Sequence, residues 1–117
     1  MVAKVSKDNN TFTIPIHGKL WVINLLKEND PTLRGVLGFC DLNKQQIYVN
    51  VELPDQLFTS TIFHEYVHAA CSLISSSRKS DDVIEEEMVC DLVGNGLEEL
   101  LRNKGCIPSH VRRRLRI

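Results

Sequence analysis

His64-Glu65-Tyr66-Val67-His68 is the stretch of this chain that decides its fold and its chemistry. Residues four apart on an α-helix lie one turn apart on nearly the same face. Both histidines can therefore offer ring nitrogens to one zinc ion at roughly 2.0–2.1 Å. Glu65 lies beside that face, where its carboxylate can take a proton from a zinc-bound water without being a ligand itself. The spacing predicts a helix that carries a catalytic metal site.

The residues around this motif have the pattern of a helix from Gln56 to about Ser75, with Asp55 as its cap. Six apolar side chains can share its buried side: Leu57, Ile62, Val67, Ala70, Cys71 and Ile74. Ser75–Ser80 then forms a polar loop. Because a five-residue motif also arises by chance on helices with two ordinary histidines, the metal site needs support from a third ligand.

A second helix is expected after the polar loop and can fold back on the first. It begins at Ser80 or Asp81, runs to about Leu101, and is ended by Gly105 and Pro108. Its apolar stripe, which we expect to pack inward, consists of Val89, Val93, Leu97 and Leu100.

The third ligand is expected in the acidic cluster Glu85-Glu86-Glu87, because catalytic zinc usually has three protein ligands. Extending the apolar stripe of the second helix back along the chain slightly favours Glu86. Glu87 has Asp91 four residues further on, which could orient a ligand histidine. Gly94 lies seven residues after Glu87, where a close helix crossing could use the missing side chain. Both glutamates are candidates at this point.

The residues before the motif helix are expected to form a small antiparallel sheet, so that a sheet followed by two packed helices gives an α+β fold. Gln46–Val51 is either an edge strand that could pair with an extended peptide or a covered central strand. Lys19–Leu26 is interpreted as a strand, although periodicity alone also allows a short helix. The four predicted strands are Thr11–Ile16 at an edge that tolerates Pro15, Lys19–Leu26, Val36–Cys40 and Gln46–Val51, with Asp41–Lys44 as a hairpin connection.

The length of 117 residues fits one domain, 1–117, with a polar, mobile segment at 1–10 and a basic tail at 107–117. The net charge of -1 suggests neither a nucleic-acid nor a membrane partner. There is no apolar run long enough for a membrane span and no secretory leader pattern, so the cytoplasm is the expected compartment. The tail arginines from Arg112 to Arg116 could contact nucleic acid, but such residues are more often solvated or paired with acids.

The four cysteines are scattered and form no Cys-x-x-Cys pair, so we expect them to be reduced and mostly buried. Cys90 lies within one turn of the acidic cluster. A thiolate ligand is possible there, but a buried apolar cysteine is the more common case.

His64-Glu65-x-x-His68 followed by Glu87-x-x-x-Asp91-x-x-Gly94 resembles the signature of gluzincins, the thermolysin-like class of zinc metallopeptidases. The order of strand, motif helix and glutamate helix is also similar to a minimal zincin-like core and to small HExxH proteins of phages and prophages, including the ImmA/IrrE-type peptidases. The resemblance covers roughly Ile47 to Leu101. It implies one zinc per chain with His64, His68 and Glu87 as ligands and Glu65 as the catalytic residue. It also implies that Asp91 contacts and orients a ligand without binding the zinc itself.

The function implied by this resemblance is zinc-dependent hydrolysis of peptide bonds in a peptide or protein substrate. Thermolysin-like enzymes also carry a second subdomain with a Tyr and a His that steady the transition state, and this chain is too short for it. Tyr48, Tyr66 and His110 are the local candidates, each more often structural. The alternative is a non-enzymatic, zinc-stabilised binding or regulatory module. The small size favours that module, whereas the presence of Glu65 favours the enzyme.

Overall fold

Five strands precede three helices in the computed structural model, which describes residues 4–5, 10–72 and 80–117 and the side chains of 10–72 and 85–117. The predicted α+β fold is confirmed. The elements are β1 (Lys4–Val5), β2 (Thr11–Ile16), β3 (Lys19–Leu26), β4 (Gly38–Asp41), β5 (Gln46–Asn50), α1 (Asp55–Cys71), α2 (Ser80–Arg102) and α3 (Ser109–Leu115), with 3-10 turns at Pro31–Leu33 and Lys104–Cys106.

The sheet has the strand order β1-β2-β3-β5-β4 and is mixed rather than wholly antiparallel as predicted. β3 and β5 are parallel, with Ile23 opposite Ile47, while the other neighbours are antiparallel. The chain leaves β3 at Leu26, forms β4 at the outer edge, and returns as β5 between β3 and β4. The intervening turn and strand give this connection the length that a parallel pair requires.

The positions of the two predicted edge strands differ from expectation. β5 is central, which was the alternative interpretation, and β4 is the outer strand. β2 lies between β1 and β3, but β1 pairs only with Phe12 and Thr13. Pro15 lies beyond that short pairing, so its missing N–H interrupts no bond to β1. The hairpin predicted between β4 and β5 is confirmed, with Asp41 Oδ1 accepting from the N–H of Asn43 and Lys44 at 3.1 Å each.

The core lies between the sheet and α1. Alternate residues of β3 and β5 point to the same side, and α1 covers them with Ala69.

The residues of α1 that are buried, Thr61, Glu65 and Ala69, lie one turn apart. The predicted buried side was therefore partly wrong: Leu57 is 40% exposed, and Ile74 lies outside the described residues. The other predicted positions, Ile62, Val67, Ala70 and Cys71, are half-buried. Asp55 begins the helix and does not cap it, since the capping position is Pro54.

The second helix has the predicted extent but turns a different face inward. Val89, Val93, Leu97 and Leu100 are 47%, 37%, 37% and 44% exposed, so the predicted inward stripe was wrong. The face of α2 toward α1 instead carries Glu86, Cys90, Gly94 and Glu98. A pattern of apolar residues cannot identify a buried face that is polar. The predicted end of the first helix at Ser75 and the loop at 75–79 lie outside the described residues, as do the side chains that could cap α2.

Both chain ends contain regular structure. Within the segment predicted to be mobile, Lys4–Val5 forms β1, and residues 1–3 and 6–9 lie outside the described part. The basic tail contains the helix α3, which starts after Pro108, with Arg112 Nε donating to the Ile107 carbonyl at 3.1 Å. Among the residues described, no helix combines the length and apolarity needed to cross a membrane. All four cysteines are free, with Cys90 buried, Cys40 and Cys71 half-buried and Cys106 exposed.

Two glycines allow the close approaches that bring the site together. A Cβ on Gly94 would lie 2.8 Å from the Ser60 carbonyl oxygen and 3.1 Å from the His64 nitrogen, so α2 crosses α1 at this glycine as predicted. A Cβ on Gly38 would lie 2.8 Å from the Tyr48 carbonyl oxygen and 3.0 Å from Thr61 Cγ2. These contacts hold α2 and β4 against the motif helix.

We predict opposite effects of alanine at the two glycines of α2. Gly94→Ala should lower the free energy of unfolding by about 1–3 kcal/mol, because the new methyl group meets backbone atoms that cannot rotate away. Gly96→Ala, whose Cβ meets nothing within 4 Å, should raise it by about 0.5–1 kcal/mol through helix propensity. Urea denaturation of both variants at one low chain concentration measures this. Equal effects of the two substitutions would contradict the helix crossing described above.

Candidate metal centre

The two motif histidines lie one turn apart on the side of α1 that faces α2. Their Nε2 atoms are 3.2 Å apart, and their side chains are 16% and 20% exposed. Both rings are therefore held at the bottom of a cleft that solvent can still reach. The i, i+4 spacing read from the sequence brings these two nitrogens together because the segment is helical throughout.

Glu87 brings one carboxylate to both histidines. Its Oε1 lies 2.8 Å from His64 Nε2, and its Oε2 lies 2.8 Å from His68 Nε2. Donors around a tetrahedral ion bound at roughly 2.0–2.1 Å are about 3.3 Å apart. The observed separations of 2.8–3.2 Å are shorter than that spacing by at most about half an ångström.

The other ring nitrogen of each histidine also faces a carboxylate on α2. Asp91 Oδ1 lies 2.8 Å from His64 Nδ1, and Glu86 Oε1 lies 3.4 Å from His68 Nδ1. Such contacts fix the ring orientation and leave Nε2 as the atom that offers a lone pair. Glu86, the alternative third ligand, thus lies behind His68, and the carboxylate between the two Nε2 atoms belongs to Glu87.

The charge balance of this cluster favours a cation. A neutral imidazole has only one N–H, so it can donate to one carboxylate at a time. Both nitrogens of His64 lie 2.8 Å from carboxylate oxygens. A cation between the Nε2 atoms and Glu87 would leave the His64 Nδ1–H free to donate to Asp91. Three overlapping groups of these side chains are positioned to hold a metal ion: His64 with Glu65 and His68, His64 with Glu87 and Asp91, and His68 with Glu86 and Cys90.

Glu65 lies next to this cluster and does not bridge it. Its Oε1 is 3.7 Å from His64 Nε2, and the residue is only 5% exposed. Burial raises the pKa of Glu65 from 4.5 to about 7, with a smaller lowering by His64 and a raising by Glu87. In the protein without a bound ion, this carboxyl group therefore exchanges its proton near neutral pH.

A cleft of about 540 Å³ opens over these groups, between α1, α2 and the start of β4. Its wall includes Gly38, Thr61 and Asn95, none of which the sequence analysis identified. A second depression, toward Cys40 and His68, shares Gly38, Glu65 and Glu87 with the first. Neutral polar residues and a glycine carry no chemical signature in a sequence. Asn95 could have been found only from its position one turn after Asp91 on the same helix.

The side chains proposed to steady a transition state lie away from this cleft. Tyr48 is paired with Phe39 on the opposite face of the sheet from Gly38, and its hydroxyl donates to Gln46 Oε1 at 2.8 Å. Tyr66 is 38% exposed, and His110 lies exposed on α3. Neither depression is lined by any of the three.

Cys90 is fully buried, and burial raises the pKa of its thiol to about 12. Burial likewise raises the pKa of Cys40 to about 12. Both are neutral thiols in the absence of an ion, which is the common behaviour of a buried cysteine. Cys90 nevertheless forms a compact group with His68 and Glu86 behind the histidine pair.

Comparison of this chain with protein-family models, with curated proteins and with solved structures found no match.

We predict that the purified protein binds about one divalent ion per chain, and that His64→Ala and His68→Ala each abolish this binding. Glu87→Ala should have the same effect. Glu85→Ala, which removes one carboxylate from an exposed neighbouring position, is the matched control and should bind normally. Asp91→Ala and Glu86→Ala should weaken binding by roughly 10–100-fold, because each removes the partner of a ring nitrogen. Calorimetric titration measures the wild type and all six variants, and full affinity in Glu87→Ala would refute the assignment.

We also predict a pH effect on stability in protein stripped of metal with a chelator. The folded-state pKa of Glu65, about 7, is above its ordinary 4.5, so the folded chain holds the proton more tightly in this window. The stabilisation is complete below pH 4.5 and is lost as the pH rises through about 7. It should reach roughly 1–3 kcal/mol. Glu65→Gln should lack this pH-dependent stabilisation. The unfolding free energies of the wild type and the variant should therefore diverge between pH 4.5 and about 7. Parallel curves would contradict the burial of this carboxyl group.

Proposed function

We propose that this protein is a zinc-dependent metallopeptidase, which hydrolyses peptide bonds with Glu65 as the general base. The observation that carries the proposal is the position of Glu87, whose carboxylate meets both histidine Nε2 atoms while Glu65 stays beside them as a separate, buried carboxyl group. A structural metal site has no use for that fourth group. A hydrolytic site needs it to move a proton.

The donor set supports zinc as the ion. Two imidazole nitrogens and one glutamate carboxylate form one of the ligand sets common at catalytic zinc sites, where a fourth position is kept for water or substrate. His64 and Glu87 border the open cleft, and His68 and Glu87 border the adjoining depression, so a substrate could reach that fourth position from either side. Structural zinc sites, by contrast, are usually closed by four protein ligands, often cysteines.

A zinc ion held there would polarise a substrate carbonyl and acidify a water molecule. Glu65 would take the proton of the attacking water and pass it to the nitrogen of the leaving amine. Its burial supports this function, because a carboxylate in a site of low polarity is a stronger base than one in water. Asp91 would hold the His64 ring in place through Nδ1 while the proton moves.

The outer strand β4 supports a peptide as the substrate. The N–H of Asn50 donates to the Leu37 carbonyl at 2.9 Å. Because pairing alternates along an antiparallel ladder, the backbone groups of Gly38 and Cys40 point away from β5. An extended peptide could add to this edge with main-chain hydrogen bonds and lie across the cleft beside Glu65. Gln46–Val51, which from the sequence was either such an edge strand or a central one, is central and has no free edge.

A zinc-stabilised binding or regulatory module is the second candidate. It is favoured by the positions of Tyr48, Tyr66 and His110, since none of these lines the cleft in the described part of the chain. In such a module, the ion would join α1 to α2. The free edge of β4 would bind a partner without cleaving it.

We predict that Glu65→Gln retains zinc and fold but loses hydrolysis by roughly 10²–10⁴-fold, since glutamine keeps the size and removes the base. Casein and a mixed library of quenched fluorescent peptides are the substrates, and zinc is measured by elemental analysis of the same samples. Tyr66→Phe, on the exposed side of α1, is the matched control and should cleave at the wild-type rate.

Two results would count against the enzyme. Cleavage by Glu65→Gln at the wild-type rate would remove Glu65 from the reaction. Tight capture of a peptide by zinc-loaded wild type, with no cleavage of that bound peptide, would favour the binding module.

A further inference from the structure

The second helix has an apolar face that is turned away from the rest of the described chain. Met88, Val89 and Leu92 are 61%, 47% and 71% exposed. Leu100, close to the C-terminal end of the helix, is 44% exposed. Together with Val93 and Gly96, these residues form the outer face of α2. The face follows helical spacing over more than three turns, whereas single exposed apolar residues on a monomer are scattered.

Gly96 lies in the middle of this outer face and has no function in the folded chain that the structure describes. A Cβ placed there would meet nothing within 4 Å, in contrast to Gly94 on the opposite side of the helix. Glycine inside a helix is destabilising relative to alanine. A helix that keeps it at an exposed position gains a site where another backbone or side chain can approach closely.

Charge along this part of the chain is divided into two halves. Residues 81–91 contain six acids and no base, and residues 102–116 contain six bases and no acid. Two such segments repel each other when parallel and attract each other when antiparallel. Glu86, Glu87 and Asp91 face α1 and take no part in this contact. Glu85 and Lys104, however, are exposed near opposite ends of α2, so antiparallel packing of two copies would bring an acid to a base at each end.

We propose that this protein forms a two-fold symmetric dimer in which the outer faces of two α2 helices pack antiparallel. With the axis at the level of Gly94, Leu92 of one chain lies over Gly96 of the partner subunit, and the reverse contact follows from symmetry. Met88 then lies near Leu100 of the partner subunit. Glu85 comes opposite Asn103 and next to Lys104 of the partner subunit, which places acid beside base at both ends.

This interface leaves the candidate metal centre free. Glu87 and Asp91 lie on the other side of α2, toward α1, so the cleft opens away from the proposed contact. The dimer is therefore independent of the proposed peptidase activity, and each can fail without the other.

Sedimentation velocity of the full chain over a range of concentrations tests the interface. Wild type should be a dimer at about 100 μM, and Leu92→Arg should be monomeric at that concentration. Val36→Arg is the matched control, since Val36 is an exposed apolar residue (46%) outside α2, and it should remain dimeric.

Gly96→Leu separates loss of the interface from loss of the fold. Leucine should raise the melting temperature at high dilution, because it is a better helix former and has free space within one chain. It should raise the dissociation constant at least about tenfold, because its side chain occupies the place of Leu92 of the partner subunit. Glu85→Lys should weaken the dimer, and the double variant with Lys104→Glu should restore it.

A wild type that stays monomeric at about 100 μM would overturn the proposal, and the outer face would then belong to a different partner. Dimers that persist in Leu92→Arg and Gly96→Leu would also overturn it, because association would then use another surface. Failure of the charge exchange between Glu85 and Lys104 would exclude the antiparallel arrangement.

Discussion

The contact between His64, His68 and Glu87 is the interaction on which the rest of this structure depends. It joins the two long helices through polar groups, with carboxylate oxygens 2.8 Å from both Nε2 atoms. The two imidazoles are largely removed from water, at 16% and 20% exposed, and burying polar groups is costly unless they are paired. The half-exposed Glu87 carboxylate therefore stabilises this helix interface by meeting both rings. An ion bound across α1 and α2 would add its binding free energy to the stability of the fold.

This constraint explains features that otherwise look unrelated. Gly94 and Gly38 lack side chains where α2 and β4 approach the motif helix. Glu65 is buried beside the cluster, and this burial keeps its pKa near 7. Because the inward face of α2 is used for the site, its apolar residues are left on the outside, where they can serve association.

The sequence predicted the parts of the structure that follow from local spacing. The motif helix, the extent of α2 and the glycine at the helix crossing could be read from residues at helical intervals. The parallel pairing of β3 with β5 could not, because strand order depends on contacts between distant segments. The inward face of α2 was misread because burial was inferred from apolar residues, while Glu86, Cys90, Gly94 and Glu98 occupy that face. The sequence left two candidates for the third ligand for the same reason. Glu86 and Glu87 differ only by a rotation about the helix axis, and the face that α2 turns inward could not be read from its apolar residues.

X-ray absorption at the zinc edge of the zinc-loaded protein tests the central claim most directly. A site of His64, His68 and Glu87 predicts nitrogen and oxygen neighbours at about 2.0–2.1 Å, the scattering pattern of two imidazoles, and no sulfur. A sulfur shell at about 2.3 Å would contradict it, because the ion would then be bound to a cysteine such as Cys90 behind the histidine pair.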